Sequence, residues 1–481
     1  MRPVNDFDLV VIGSGPGGER AALQAASFGK NVAIVERSHE PGGAAVHTGT
    51  LPSKTLRETA LYLSGHRKRE LYGVGVNLER SATLQTLMRR KRSIAAVESK
   101  RIRGKLEELG VEYVAGHGRL DGPTRVTVES DVGNHVLNTA IIVIATGSSP
   151  RRPPDVEFES PRIHDSDLVL EIDVIPSSMI VLGGGVIGCE YACMFAALGV
   201  AVTLVDARME LLSFLDDEMR DRLELAMVEL GVMLVRPRRW GPVRDVGGAA
   251  EVEFDDGSTM RADQVLFAAG RVGCTANLGL ETVGLEHCMR GCLTVDENFQ
   301  TNAPNVYAVG DVIGFPALAS ASMEQGRIAV CRAFGVDVQR KMSPVIPYGI
   351  YTIPEVSCVG ESERACREAG RPIVVGRADF RSNARAQIQG DLGGMLKLVV
   401  CATTRRVLGT HVIGERATEL VHLGQAAILM EATVDLFIEM VFNYPTISET
   451  YKQAAYDCIS ALQKPGGSIA PRRLSTSEKG S

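Results

Sequence analysis

Two glycine-rich segments in this chain have residue types and spacing that could bind phosphate. Gly13-Ser14-Gly15-Pro16-Gly17-Gly18 follows the apolar run Asp8-Leu9-Val10-Val11-Ile12 and opens an Ala-rich helical stretch reaching about Phe28. A second apolar run, Asn31 to Val35, ends on Glu36. The design repeats later: Met179-Ile180-Val181-Leu182 leads into Gly183-Gly184-Gly185-Val186-Ile187-Gly188, and Ala201 to Val205 ends on Asp206. In each copy the glycines serve a tight turn, close approach of a pyrophosphate, and close packing of helix on strand. The helix N-terminus offers bare N–H donors and a partial positive charge to the phosphates. The acid at the end of the second strand can accept hydrogen bonds from both hydroxyls of a ribose. Two complete fingerprints imply two dinucleotides, or one dinucleotide and one flavin dinucleotide.

The elements that must position these groups are those of an α/β chain. Two further strands end in small residues that let backbone approach a ligand: Ile141 to Ile144 before Ala145-Thr146-Gly147, and one before Ala268-Ala269-Gly270-Arg271. The two nucleotide-binding units therefore read as duplicates, the second inserted within the first. A strand at Val306 to Val309 precedes Gly310-Asp311, and Ala317-Leu318-Ala319 opens a helix. Between about Ser81 and Leu109 a charged helical run includes Arg89-Arg90-Lys91-Arg92, which reads as a solvated helix face because acids follow within a few turns. Beyond about Met342 strands alternate with helices, and from Gly466 the chain is rich in Pro, Arg, Ser and Lys and reads as a disordered tail.

Size and composition bound the possibilities. The 481 residues suffice for two to four domains. A formal charge of -6 argues against a general nucleic-acid or anionic-membrane partner. No apolar run approaches the length of a membrane span, and the N-terminal residues read as a strand rather than a signal peptide. The expected location is cytoplasmic, where the 10 cysteines act as buried small hydrophobes rather than a disulfide framework.

The run Gly42-Gly43-Ala44-Ala45-Val46-His47-Thr48-Gly49-Thr50-Leu51-Pro52-Ser53-Lys54 resembles the flavin-facing segment of the flavoprotein disulfide reductases. The resemblance extends from Asp6 to Leu462. It implies FAD at the first fingerprint and NAD or NADP at the second. Residues 1–148 and 275–342 would form the FAD-binding domain, 149–274 the NAD(P)-binding domain, and 343–465 a C-terminal α+β dimerisation domain, with 466–481 the tail. It places Glu36, Arg37, Gly42, Gly43, Ala44, Ala45, Gly118, Thr146, Gly147, Gly310, Asp311 and Ala319 against the flavin dinucleotide, with Asp311 on the ribitol chain and the helix after Leu318 aimed at the flavin pyrimidine ring. Gly183, Gly185, Val186, Ile187, Gly188, Asp206, Arg208, Gly270 and Arg271 fall to the nicotinamide dinucleotide. Lys54 would lie beside the reactive flavin nitrogen, paired with Glu190, both counted as catalytic residues. No metal site is implied.

The departures from that family are informative. Its two redox cysteines fall where this chain has Ala45 and Thr50, and a histidine before Pro445-Thr446 is replaced by Tyr444. Alanine and threonine cannot exchange electrons with a disulfide, and a phenol is a poor acid and base at neutral pH. Glu449, the histidine's partner in the family, has a structural reading as part of a capping box, Thr446-x-x-Glu449. The set resembles the branch of the family that has FAD but lacks a working dithiol. The segments Gly49 to Lys54, Gly314 to Ala319 and Phe442 to Thr446 match it, although its members often retain the first cysteine. That branch implies ping-pong exchange of a hydride between NADPH and NAD through the flavin, in a homodimer or higher oligomer. The alternatives are an NAD(P)H dehydrogenase reducing quinones or dyes, and a cysteine-less relative of lipoamide dehydrogenase.

Other reactive residues carry less. His47 reads as packing, because hydride transfer needs no proton relay. Cys189 and Cys193 share a helix face that packs on the sheet. Cys288 and Cys292, beside His287, have metal-like or redox-like spacing, but zinc needs four ligands and no second cluster supplies the rest. Asp206 favours the free ribose of NAD, whereas Arg208 could turn towards the 2′-phosphate of NADP. A site with both charges could admit both cofactors.

Overall fold

The apolar runs become buried parallel strands. In the computed structural model, which describes residues 6–65, 80–131, 133–336 and 341–463, the strand Phe7–Ile12 pairs in parallel with Val32–Glu36 and with the C-terminal half of Gly133–Ile144. Glu112–Ala115 extends this sheet on one side, and Val306–Ala308 pairs with Ile142 to Ile144. The N-terminal half of Gly133–Ile144 instead runs antiparallel to Arg125–Ser130, which pairs with His117–Leu120. Alternation sorts the side chains into two cores. Leu9, Val11, Ile34 and Val143 pack under helices, whereas Val10, Ile12, Ala33, Val35 and Ile144 pack with Leu120, Val126 and Val128. The expected tail lies outside the described residues.

Helices Pro16–Ser27 and Ala319–Ala333 cross over the first of these faces. A Cβ at Gly326 would lie 2.2 Å from the Gly17 carbonyl oxygen, so glycine is what permits the crossing. Helix Arg80–Glu108 holds the basic run. Here the expectation of a fully solvated face fails at one residue. Lys91 is 4% exposed, and its Nζ donates to the Leu170 carbonyl at 2.5 Å and to Glu171 at 2.6 Å, while Arg89, Arg90 and Arg92 are exposed. A helix turns one residue in about four towards its packed side whatever the local charge.

The second fingerprint sits in a five-stranded parallel sheet of order Met233–Val235, Ala201–Val205, Ser178–Leu182, Gln264–Phe267, Ile163–Asp165. A three-stranded antiparallel sheet, Trp240–Asp245, Ala250–Phe254 and Thr259–Ala262, shares its core. The short strands Ser148–Pro150 and Arg271–Gly273 pair antiparallel where the chain passes between the two nucleotide-binding modules.

Among the described residues, 6–65, 80–211 and 230–344 cluster as one compact unit, and 212–229 with 345–463 as another. The second unit is an antiparallel sheet of order Tyr348–Ile350, Val356–Gly360, Val407–Ile413, Met395–Cys401, Ile373–Asp379. Its core includes residues of helices Ala417–Leu429 and Thr450–Leu462. Thr446 accepts a hydrogen bond from the Ser448 amide and so caps the short turn that leads into the last helix. Residues 212–229, inside the expected stretch 149–274, cluster with this unit and meet it through charge. Lys397, 2% exposed, lies 2.8 Å from each of Asp216, Glu218 and Glu363.

Burial opposes the charge on Asp216, but His411 and Lys397 beside it, with the bonds from Lys397 Nζ and the Glu363 amide, hold its carboxyl below the ordinary range. Glu363 is held down in the same way, and burial of Lys397 is outweighed by the three carboxylates, which raise it. Removing one partner of such a cluster leaves buried charge uncompensated. Lys397→Met is therefore expected to destabilise the second unit by about 3–5 kcal/mol at neutral pH in urea titrations. Both carboxyls are depressed in the folded state, so their stabilisation is present at neutral pH and lost as pH falls through the carboxylate range near 4. The deficit of the variant should narrow over the same interval, and an unchanged deficit would count against the cluster as its source.

Candidate active site

The first fingerprint turn is closed by its own acid. Glu36, 7% exposed, accepts from the Ser14 amide at 2.9 Å and the Ser14 hydroxyl at 2.7 Å through one oxygen, and from the Ser38 amide at 3.0 Å through the other. The Ser14 hydroxyl also accepts from the Gly42 amide at 3.1 Å, which ties the turn to the start of the GGAAVHTGTLPSK run. That run is helical for most of its length: Gly43–His47 forms one helix, and Thr50 begins another that ends at Ser64. Gly43 has φ +56°, and a Cβ there would lie 2.9 Å from the Gly15 Cα. His47 bonds the Pro41 carbonyl at 3.0 Å and Ser99 at 3.4 Å, a packing arrangement.

These residues fit a dinucleotide. Helix Pro16–Ser27 opens at Gly15 with no side-chain cap, leaving its first amides to a ligand. The Thr146 hydroxyl and His117 Nε2 are buried without a hydrogen-bond partner among the described residues, and His117 precedes Gly118. Asp311, in the turn Gly310–Ile313, accepts from the Ser148 hydroxyl at 2.8 Å, and the Gly310 amide is held by Gln325 at 2.8 Å. Arg37 is exposed beside Glu36.

The second turn repeats the first. Asp206, 3% exposed, accepts from the Gly184 amide at 2.5 Å, and helix Val186–Ala197 opens at Gly185 without a side-chain cap. Gly188 closes the turn, since a Cβ there would lie 1.8 Å from the Gly183 carbonyl oxygen. Arg208 does not reach outward: its guanidinium folds back on Asp206, Nε to Oδ1 at 3.1 Å and Nη2 to Oδ2 at 3.0 Å. Burial would raise the Asp206 carboxyl, but the bonds from Arg208 and Gly184 outweigh it and hold it below the ordinary range. Cys189 and Cys193 are fully buried on the helix that follows.

Two further contacts join the modules beside the fingerprints. Lys54 Nζ donates to Glu190 Oε2 at 2.7 Å, joining the N-terminal part of helix Thr50–Ser64 to helix Val186–Ala197. Arg271 donates to the Ser148 hydroxyl at 2.9 Å and carbonyl at 2.7 Å, and lies 3.7 Å from Asp167. Burial raises the Asp167 carboxyl, with the charge of Arg271 and a bond to Thr48 pulling against it. Ser148 and Asp167 escape the sequence reading. Ser148 carries only its place after Ala-Thr-Gly as a signal, and Asp167 belongs to no motif. Gly270 has φ +108° beside Arg271, and Ala319 begins the helix after Leu318.

A doubled strand–turn–helix with an acid under each turn, bridged by a lysine–glutamate pair, is the frame of a two-dinucleotide oxidoreductase. Comparison with known proteins agrees. The model of the pyridine nucleotide-disulphide oxidoreductase family matches residues 7–326, and that of its dimerisation domain matches 346–455. The chain belongs to this family, whose cofactor is FAD. It is similar to the soluble pyridine nucleotide transhydrogenases of Mycobacterium tuberculosis strain H37Ra (45% identical, 96% of this chain, 98% of the relative) and Photorhabdus laumondii (41%, 95% and 99%). Among solved structures it is similar to LpdA of M. tuberculosis (30% identical, TM-score 0.86, 93% of this chain, 99% of that one). It is also similar to the HOCl-induced flavoprotein disulfide reductase RclA of Escherichia coli (25%, TM-score 0.85, 94% and 99%). No helix among the described residues is long and apolar enough to cross a membrane.

Glu36→Ala should weaken FAD retention by about 10- to 100-fold, the worth of a hydrogen bond to a charged group. Flavin absorbance remaining after gel filtration measures this, and full retention would dissociate Glu36 from the ribose.

Proposed function

We propose that this chain is an FAD-dependent transhydrogenase that moves a hydride between NADPH and NAD by ping-pong exchange, in a homodimer. The observation that carries the reading is a complete nucleotide machinery around an absent dithiol. Both fingerprints and the Lys54–Glu190 contact are present, while the positions facing the flavin in the family hold Ala45 and Thr50. FAD, when bound, supplies two-electron acceptance and return between one nicotinamide and the next. The homodimer rests on the match of residues 346–455 to a dimerisation domain.

The protein's own residues do the rest. Glu36, Ser14 and the bare amides after Gly15 would hold the ribose and pyrophosphate, and Asp311 with Ser148 the ribitol chain. Lys54 places a cation where negative charge develops, and Glu190 fixes that cation in position. Gly183 to Gly188 cradle the pyrophosphate of the exchanging nucleotide. Asp206 and Arg208 make the ribose end serve both cofactors. With NAD, Arg208 stays folded on Asp206, which meets the free hydroxyls at its rim. With NADP, Arg208 swings out to the 2′-phosphate and offsets the repulsion from Asp206.

Anaerobic titration tests the cycle. NADPH should bleach the bound flavin, NAD should restore its colour, and double-reciprocal plots should be parallel. Faster turnover with a quinone than with a nicotinamide analogue would favour a dehydrogenase instead. Arg208→Ala should raise KM for NADPH by about 10- to 100-fold with little change for NADH, the scale of one charge-assisted hydrogen bond. An equal loss for both nucleotides would overturn the role given to Arg208.

A further inference from the structure

None of the cysteines among the described residues is in a disulfide, and half of the ten are buried; Cys288 and Cys292 are an exposed and a half-buried thiol on the same turn. His287 and Leu293 bridge antiparallel, which makes Cys288 and Cys292 the next opposed pair. The Cys288 amide donates to the Cys292 carbonyl at 2.9 Å, and the Gly291 amide closes the turn on the Cys288 carbonyl at 2.8 Å. Directly opposed residues of an antiparallel pair have Cα atoms about 4.5–5.5 Å apart, inside the range of about 4.4–6.8 Å that a disulfide spans. Both thiols meet the backbone of Arg290 between them: its amide donates to Cys288 Sγ at 3.4 Å, and Cys292 Sγ donates to its carbonyl at 3.7 Å.

The turn is anchored to both ligand-facing segments. The Gly273 amide donates to the Arg290 carbonyl at 2.8 Å, which joins the turn to the strand that carries Arg271. The Leu293 amide donates to the Val312 carbonyl at 2.8 Å, which joins it to the loop of Asp311. A Cβ at Gly314 in that loop would lie 3.5 Å from Cys292 Sγ.

We propose that Cys288 and Cys292 form a reversible dithiol–disulfide site whose oxidant is a low-molecular-weight disulfide. Cys288 is the attacking residue by exposure. Its thiol is held below the ordinary value by backbone N–H groups of Cys292 and Arg290 and by the Cys292 thiol, whereas burial raises Cys292, which lies beside Cys288. Cys288 loses its proton to solvent, and its thiolate attacks one sulfur of the reagent. That forms a mixed disulfide and releases one small thiolate, which takes a proton from solvent. Cys292, deprotonated in turn, attacks Cys288 Sγ, closes the protein disulfide and expels the second small thiol. Two electrons pass from the pair to the reagent, and no metal is needed.

The experiment equilibrates the flavin-loaded full chain in oxidised and reduced glutathione, blocks remaining thiols with iodoacetamide, and maps peptides by mass spectrometry. The expected result is a Cys288–Cys292 crosslink that dithiothreitol reverses. Cys292→Ser should trap one glutathione on Cys288, and Cys288→Ser should leave Cys292 alkylatable. Flavin absorbance of each variant reports that it has folded. The proposal is overturned if both thiols stay alkylatable across the oxidising range, or if another cysteine takes the glutathione while Cys292→Ser traps none at Cys288.

Discussion

Each nucleotide turn is held by an acidic side chain beneath it. Glu36 accepts from the amide of Ser14 and Asp206 from that of Gly184, and in both cases acid and amide are 22 residues apart. The amide belongs to the second residue of the glycine turn, so the acid fixes the backbone that must face a pyrophosphate. The group expected to recognise a ribose is thus also the strut of the phosphate loop. A charge-assisted bond to a buried amide is strong and directional, which keeps the two turns alike although their helices share little sequence beyond the glycines. Loss of either acid would disturb phosphate and sugar together.

Between the modules, polar side chains form chains of contact rather than isolated pairs. Arg271 leans on Ser148, and Ser148 on Asp311, so a strand end of one module reaches the acid in the Gly310–Ile313 turn of the other. Lys54 and Glu190 make a second tie between helices of different modules. Arg208 and Asp206 form a third, local pair, with the arginine side chain still 58% exposed. That exposure leaves the guanidinium a path outward, the freedom a site needs if it is to meet two nucleotides that differ by one phosphate.

The glycine turns, their strands and the terminal acids were legible because they lie within one strand–turn–helix, where spacing alone sets the geometry. The inward turn of Lys91 was not, since four consecutive basic residues read as solvated and only the helix period picks out the one that packs. Ser148 and Asp167 were hidden because their partners are far along the chain: Asp311 lies 163 residues beyond Ser148. Arg208 was legible as a charge near the ribose end, but its folded-back pairing depends on side-chain geometry that spacing does not carry. The allegiance of residues 212–229 was hidden for the same reason as Ser148, with Lys397 at 181 residues from Asp216.

That allegiance limits how the chain can be divided. A fragment ending near residue 344 would keep helix Asp217–Glu229 but discard the sheet that buries Asp216. Its acidic start would then lose the buried Lys397 that pairs with Asp216 and Glu218. Trimming from the C-terminal end would therefore strand that helix without its ionic anchor. A clean separation requires excising 212–229 together with the C-terminal sheet and rejoining the chain at Leu211 and Leu230.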